Sequence, residues 1–173
     1  MFIALEQLQE EPVRFEESFA PDQMEYATEG LRQVAALQVK GIATLLEREI
    51  HIRGTLATQL ELECARCLDP VVQRVKRDFD LYYRSLKDSP AQDELAVPRG
   101  EEELGFYSGE GLLLEDVAKE QVLLSLPMRS VCRADCKGLC PHCGINRNRE
   151  TCTCAEPARD FRWEVLKKLS PGS

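Results

Sequence analysis

The eight cysteines of this 173-residue chain fall in two places. Cys64 and Cys67 stand in "ECARCLDP", and Cys132, Cys136, Cys140, Cys143, Cys152 and Cys154 are packed into "CRADCKGLCPHCGINRNRETCTC". Such spacing supplies metal-binding thiolates. Two cysteines separated by two residues can turn both sulfurs onto one tetrahedral ion, as in "CPHCG", where Gly144 offers the positive φ of the turn. In "CTC" both side chains of an extended segment point the same way. Cys140, Cys143, Cys152 and Cys154 therefore make one candidate four-thiolate site around the loop "GINRNRET", whose Asn146 and Asn148 tolerate left-handed backbone and can bond locally. Cys64, Cys67, Cys132 and Cys136 remain for a second site, which would fasten the end of a strand to the segment after a helix. Zinc binding releases roughly 10–16 kcal/mol in small fingers, against roughly 5–15 kcal/mol for a whole domain, so a metal there could decide whether the tail is docked.

Two Zn ions are the expected cofactors. Spacing alone leaves open a single site with loose thiols, exchanged partners between the sites, and an iron–sulfur cluster. A redox dithiol at Cys64 and Cys67 matches "CARC" in spacing only, because such a pair opens a helix in a βαβ unit and here Pro70 and a strand pattern follow. His142 reads as a solvated loop residue and His51 as a residue of a polar strand face. With these two histidines, neither near a serine, no nucleophile–base pair assembles. All-thiolate sites are typically closed and structural, so no catalytic residue is expected and the protein is read as not an enzyme.

Net charge is −8, which taken alone argues against a general nucleic-acid binder, but the average hides an asymmetry. From Cys132 onward eight Lys/Arg face five acids, a balance of +3, leaving −11 before Cys132. Arg133, Lys137, Arg147 and Arg149 accompany the cluster, and Arg66, Arg74, Lys76 and Arg77 accompany the first cysteine pair. These eight are the candidate phosphate contacts. Zinc held by four thiolates carries a net −2, so some of them are expected to balance the metal instead.

The elements that must position these residues are readable from periodicity. In "EIHIRGTLATQLELEC", Ile50, Ile52, Leu56, Leu60 and Leu62 alternate with polar residues, a half-buried strand bent near Gly54, and Cys64 falls on its apolar side. Leu37, Val39, Ala43 and Leu45 mark a strand before it; Val71, Val75, Phe79, Leu81 and Tyr83 mark one after it. Three adjacent strands predict an α+β fold with an antiparallel meander or barrel-like sheet. The stretch 86–111, rich in Pro, Gly, Ser and acids, reads as a solvated acidic loop. "LLLEDVAKEQVLLSLP" predicts a helix covering the sheet, with Leu113, Leu114, Val117, Ala118 and Leu124 on one face and Pro127 beyond it. "EPARDFRWEVLKKL" predicts a C-terminal helix with Phe161, Val165 and Leu169 on one stripe and Trp163 in a packing role. The division expected is residues 1–131 as sheet-plus-helix domain and 132–173 as metal-binding segment with its helix. Without a basic, apolar leader in "MFIALEQLQEE" or a spanning apolar run, a cytoplasmic protein with no membrane partner is expected, where thiols stay reduced.

"ECARCLDP", "LLSLPM", "CRADCKGLCPHCGINRNRETCTC" and the closing "FRWEVLKKL", in that order over about residues 30 to 170, resemble the YceD-like family, the large ribosomal RNA subunit accumulation proteins of bacteria and plastids. Where that family often reads "DPR" before its last helix, this chain has "PARDFR". The resemblance implies a protein needed for normal build-up of large-subunit rRNA, often encoded beside a zinc-ribbon protein of the large ribosomal subunit. Some members lack the "GLCPHCG…CTC" part while keeping the upstream pair. The partner expected is rRNA or a pre-ribosomal particle, contacted through metal-organised basic surfaces. The alternative is an adaptor or holder whose acidic face meets a basic ribosomal protein or assembly factor.

Overall fold

A computed structural model describes residues 1–21, 23–86 and 104–154 of the chain. The expected C-terminal helix, with Phe161 and Trp163, and most of the expected acidic loop lie outside the described residues. Ten elements follow in order: β1 (Phe2–Ala4), α1 (Leu5–Glu10), β2 (Val13–Phe19), β3 (Leu31–Gln33), β4 (Leu37–Leu46), β5 (Glu49–Glu63), β6 (Pro70–Ser85), β7 (Leu104–Tyr107), β8 (Gly111–Leu113) and α2 (Leu114–Leu124). The fold is α+β. β4, β5 and β6 form the expected antiparallel meander, extended to the order β2-β4-β5-β6-β7, with β3 pairing the far end of β5. β1 and β8 make a separate two-stranded sheet. No helix among the described residues is long and apolar enough to cross a membrane.

Two readings are corrected. The expected loop through residue 111 ends earlier, because Leu104–Tyr107 pairs parallel with β6 and Gly111–Leu113 pairs with β1. Tyr107, Gly111 and Leu112 are buried, which outweighs the acidic and glycine-rich surroundings that suggest loop. In α2 the buried stripe is Leu114, Val117, Ala118, Gln121 and Val122, whereas Leu113 belongs to β8 and Leu124 is exposed.

The long β5–β6 hairpin sets the geometry. All fifteen residues of β5 pair with β6, from Glu49 opposite Arg84 to Glu63 opposite Pro70, so the turn 64–69 is held at the tip of a stiff ribbon. One face of that ribbon is apolar: Ile50, Ile52, Leu56, Leu60, Val75, Phe79 and Tyr83 are buried together with Phe15, Phe19, Leu37, Val39 and Ala43. Thr58 breaks the apolar run without cost, its hydroxyl donating to the Ala35 carbonyl at 3.0 Å.

One transverse row shows why the sheet can curl. Phe15, Gly41, Gly54 and Phe79 sit side by side across β2, β4, β5 and β6. The Phe15 ring covers Gly41 and the Phe79 ring covers Gly54: a Cβ at Gly41 would lie 2.6 Å from the first ring, and one at Gly54 2.8 Å from the second. Two rings thus occupy the space two side chains would need, the pairing by which sheets tolerate glycine at a bend. Gly54→Val forces that Cβ against the Phe79 ring and the Lys40 carbonyl, 2.4 Å away. Overpacking of this kind costs about 1–3 kcal/mol, so the variant is expected to melt several degrees lower by circular dichroism, and an unchanged midpoint would contradict this packing.

Candidate metal centres

The first cysteine pair sits in the hairpin tip. The Cys64 N–H donates to the Asp69 carbonyl and the Leu68 N–H to the Cys64 carbonyl, each at 2.9 Å, closing a tight knuckle between β5 and β6. Leu68 takes φ +61°, the left-handed region that favours glycine, at the place Gly144 holds in the second knuckle with φ +73°. Residues 130–139 lie across this tip like a strap. Ala65 N–H donates to Ser130 O at 2.8 Å and Leu139 N–H to Arg66 O at 2.9 Å, while the Arg66 guanidinium donates to the carbonyls of Ala134 and Cys136.

These bonds bring Cys132 and Cys136 onto Cys64 and Cys67. The four sulfurs lie within 4.8 Å of one another, with Cys64–Cys136 at 3.9 Å and Cys67–Cys132 at 3.6 Å. Zn–S bonds of about 2.3 Å in a tetrahedron require sulfurs about 3.8 Å apart, so the donor set fits that ion. Cys64, Cys67 and Cys136 are buried. In the second group, Cys140, Cys143, Cys152 and Cys154, the sulfurs also lie within 4.8 Å of one another. Its turn is closed by Cys140 N–H to Ile145 O at 2.8 Å and Gly144 N–H to Cys140 O at 2.9 Å. None of the eight forms a disulfide.

The thiol acidities diverge within each group. Burial raises Cys64, but the backbone N–H groups of Cys132, Arg66 and Cys67 outweigh it and lower that thiol to about 6. Cys136 is likewise lowered, burial being outweighed by the Asn148 amide and the Gly138 N–H. Their neighbours move the other way. The Asp69 N–H favours a Cys67 thiolate, yet burial and the surrounding sulfurs push Cys67 up to about 12, and burial followed by Cys136 raises Cys132. In the second group backbone N–H groups of Cys143 and His142 lower Cys140 to about 6; contact with Cys140 raises Cys152, and contact with Cys143 raises Cys154 to about 12. Each group thus mixes lowered and raised thiols, Cys64 and Cys136 against Cys67 and Cys132 in the first and Cys140 against Cys152 and Cys154 in the second.

The candidate phosphate contacts divide into engaged and unengaged cations. Arg66 is bonded to two carbonyls, Arg133 to the Asn148 amide oxygen at 2.9 Å and to Asp135, and Arg149 to Asp69 at 2.7 Å. Arg77 lies on the sheet face opposite Arg74 and Lys76, and its Nη1 donates to the Leu124 carbonyl at 3.4 Å. Arg74, Lys76, Lys137 and Arg147 are exposed, and their side chains bond no other described residue. Lys137 and Arg147 are neighbours, since the Arg147 N–H donates to the Gly138 carbonyl at 2.9 Å. His142 is exposed and its ring belongs to neither sulfur group, and His51 stacks on Tyr82 beside Asp80. Asn146 and Asn148 bond in the turn as expected, but neither adopts left-handed backbone. Sequence reasoning missed Asp69, which receives Cys67, Asn146 and Arg149; a carboxylate two residues beyond a cysteine pair was its signal.

Comparison with known proteins places this arrangement. Residues 52–170 match the model of the family described as large ribosomal RNA subunit accumulation protein YceD. Uncharacterized proteins of Mycobacterium bovis and Mycobacterium tuberculosis are 42% identical over 125 residues, covering 72% of this chain and 58% of each relative. A chloroplastic protein of Zea mays, named large ribosomal RNA subunit accumulation protein YCED homolog 1, is 25% identical over 131 residues, covering 61% of this chain and 44% of that protein. The chain thus spans less than two thirds of the length of these relatives. No solved structure matches. The family match runs through both cysteine groups and the long hairpin that carries the first, and the chain belongs to the YceD family of large ribosomal RNA subunit accumulation proteins.

Proposed function

We propose that this chain is a non-enzymatic ribosome-biogenesis factor that binds large-subunit rRNA, or a precursor particle containing it, through basic surfaces organised by two zinc ions. The family's description supports the ribosome-biogenesis role. The observation that carries the rest is the division of cations around the cysteine groups. Arg66, Arg133 and Arg149 are engaged by carbonyls and by Asn148, Asp135 and Asp69, whereas Lys137 and Arg147 in the cysteine-rich segment and Arg74 and Lys76 on β6 are exposed. Residues 1–131 act as the scaffold and 132–173 as the metal-binding segment. Zinc would be held by Cys64, Cys67, Cys132 and Cys136 and by Cys140, Cys143, Cys152 and Cys154. Four thiolates leave no coordination position for substrate, so the ions supply shape and charge rather than chemistry.

Purified protein is expected to hold two zinc ions per chain. At saturating zinc, Cys64→Ser/Cys67→Ser and Cys140→Ser/Cys143→Ser are each expected to fall to one ion; a wild type holding one ion, or joint loss of both, would contradict the assignment. Reversal of the unengaged cations, Arg74→Glu/Lys76→Glu and Lys137→Glu/Arg147→Glu, is expected to weaken binding of purified large-subunit rRNA. Each lost phosphate contact should reduce the slope of log affinity against log salt by roughly 0.7–0.9. Salt-insensitive or unchanged association would overturn the RNA reading, and a co-purified basic protein surviving nuclease would replace it with the adaptor reading.

A further inference from the structure

The second cysteine group stands next to the first and also completes it. Its two cysteine pairs bracket residues 144–151, so an ion held by Cys140, Cys143, Cys152 and Cys154 fixes both ends of that loop. From the loop, the Asn148 side chain reaches the first group, its Nδ2 donating to Cys136 Sγ at 3.3 Å. The amide can face only one way. Its Oδ1 accepts from the Lys137 backbone N–H at 2.8 Å and from Arg133, both obligate donors, which leaves the NH₂ for the sulfur. That NH₂ also donates to Asn146 Oδ1 at 3.0 Å, so the Asn146 NH₂ is turned onto Asp69 Oδ2, also at 3.0 Å. Arg149 Nη2 takes the other Asp69 oxygen at 2.7 Å.

Asp69 needs these partners. Its Oδ2 lies 3.4 Å from Cys67 Sγ, which sets the carboxylate beside a candidate ligand. Asn146 and Arg149 supply the opposing donors and charge. The Asp69 backbone carbonyl meanwhile accepts the Cys64 N–H, so moving Asp69 moves the knuckle.

We infer that the two metal sites are thermodynamically coupled: loop 144–151, shaped by the second ion, provides the outer hydrogen-bond shell of the first, with Asn148 as the positioning residue. This rests on metal binding by both cysteine groups. Coupling is reciprocal, so each site binds more tightly when the other is filled, by the same factor. Loss of an outer-shell partner typically costs 10–100-fold in metal affinity, and a factor of about that size is expected here.

The full chain loaded with cadmium gives one cadmium NMR resonance per site, each assigned by its own paired Cys→Ser variant, and competition with a chelator reads the affinity of each. Emptying the second site with Cys152→Ser/Cys154→Ser is expected to lower affinity at the first about 10–100-fold. Cys64→Ser/Cys67→Ser should lower the second site equally. Asn148→Asp keeps the size and the acceptor for Lys137 but removes the donor to sulfur. It should shift the first-site resonance and abolish the mutual dependence, so that adding Cys152→Ser/Cys154→Ser to it costs the first site little more. Two ions bound with affinities indifferent to each other would overturn the coupling alone; a wild type that fails to hold two ions would overturn the site assignment and the coupling with it.

Discussion

Four sulfurs gathered at the tip of the β5–β6 hairpin are the constraint on which the cysteine-rich half of the molecule depends. Ionised sulfurs at such separations need a counter-charge. Among the described residues, the apolar packing around Cys64, Cys67 and Cys136 consists of partly buried Val71, Val131 and Leu139, far less than a domain needs. Backbone bonds through Ala65, Arg66 and Leu139 give the strap its register, and a cation held by the four sulfurs, as proposed above, would add its binding energy to the strap.

The sheet makes that clamp possible by being stiff where the clamp is anchored. A fully paired fifteen-residue strand, packed on one face against β2, β4 and α2, delivers the knuckle to a fixed point. The same strand parity that buries Leu60 beneath the sheet carries Cys64 inward, while Arg74 and Lys76 leave by the other face of β6. Core, clamp and basic surface follow from one alternating pattern.

Much of this could be read from the sequence, and the reason is physical. Long alternating strands announce themselves, so β4, β5 and β6 fall where Leu37, Ile50 and Val71 begin their apolar rows, and α2 falls on its helical stripe. Tetrahedral coordination makes CxxC and CxC spacing legible as local pairs, whereas which pairs stand together is seen only in the folded chain. Short elements carry little signal. β1, β7 and β8 span three or four residues and owe their existence to distant partners, the parallel β6–β7 pair above all. β2 had a usable pattern in Val13, Phe15 and Phe19, interrupted by the adjacent Glu16 and Glu17. Side-chain bonds across loops leave no periodicity at all, which is why Asp69, and the division of the arginines into engaged and unengaged, emerged only in three dimensions.

The central claim, that metal in the cysteine groups holds residues 130–154 onto an independently stable sheet, is tested most directly by amide hydrogen exchange on the metal-loaded and the chelated full chain. Chelation is expected to remove protection from the amides of Ala65, Leu139, Cys140 and Arg147, which donate to carbonyls within the clamp, while β4, β5 and α2 stay protected. Unchanged protection of those four amides after complete metal removal would contradict it.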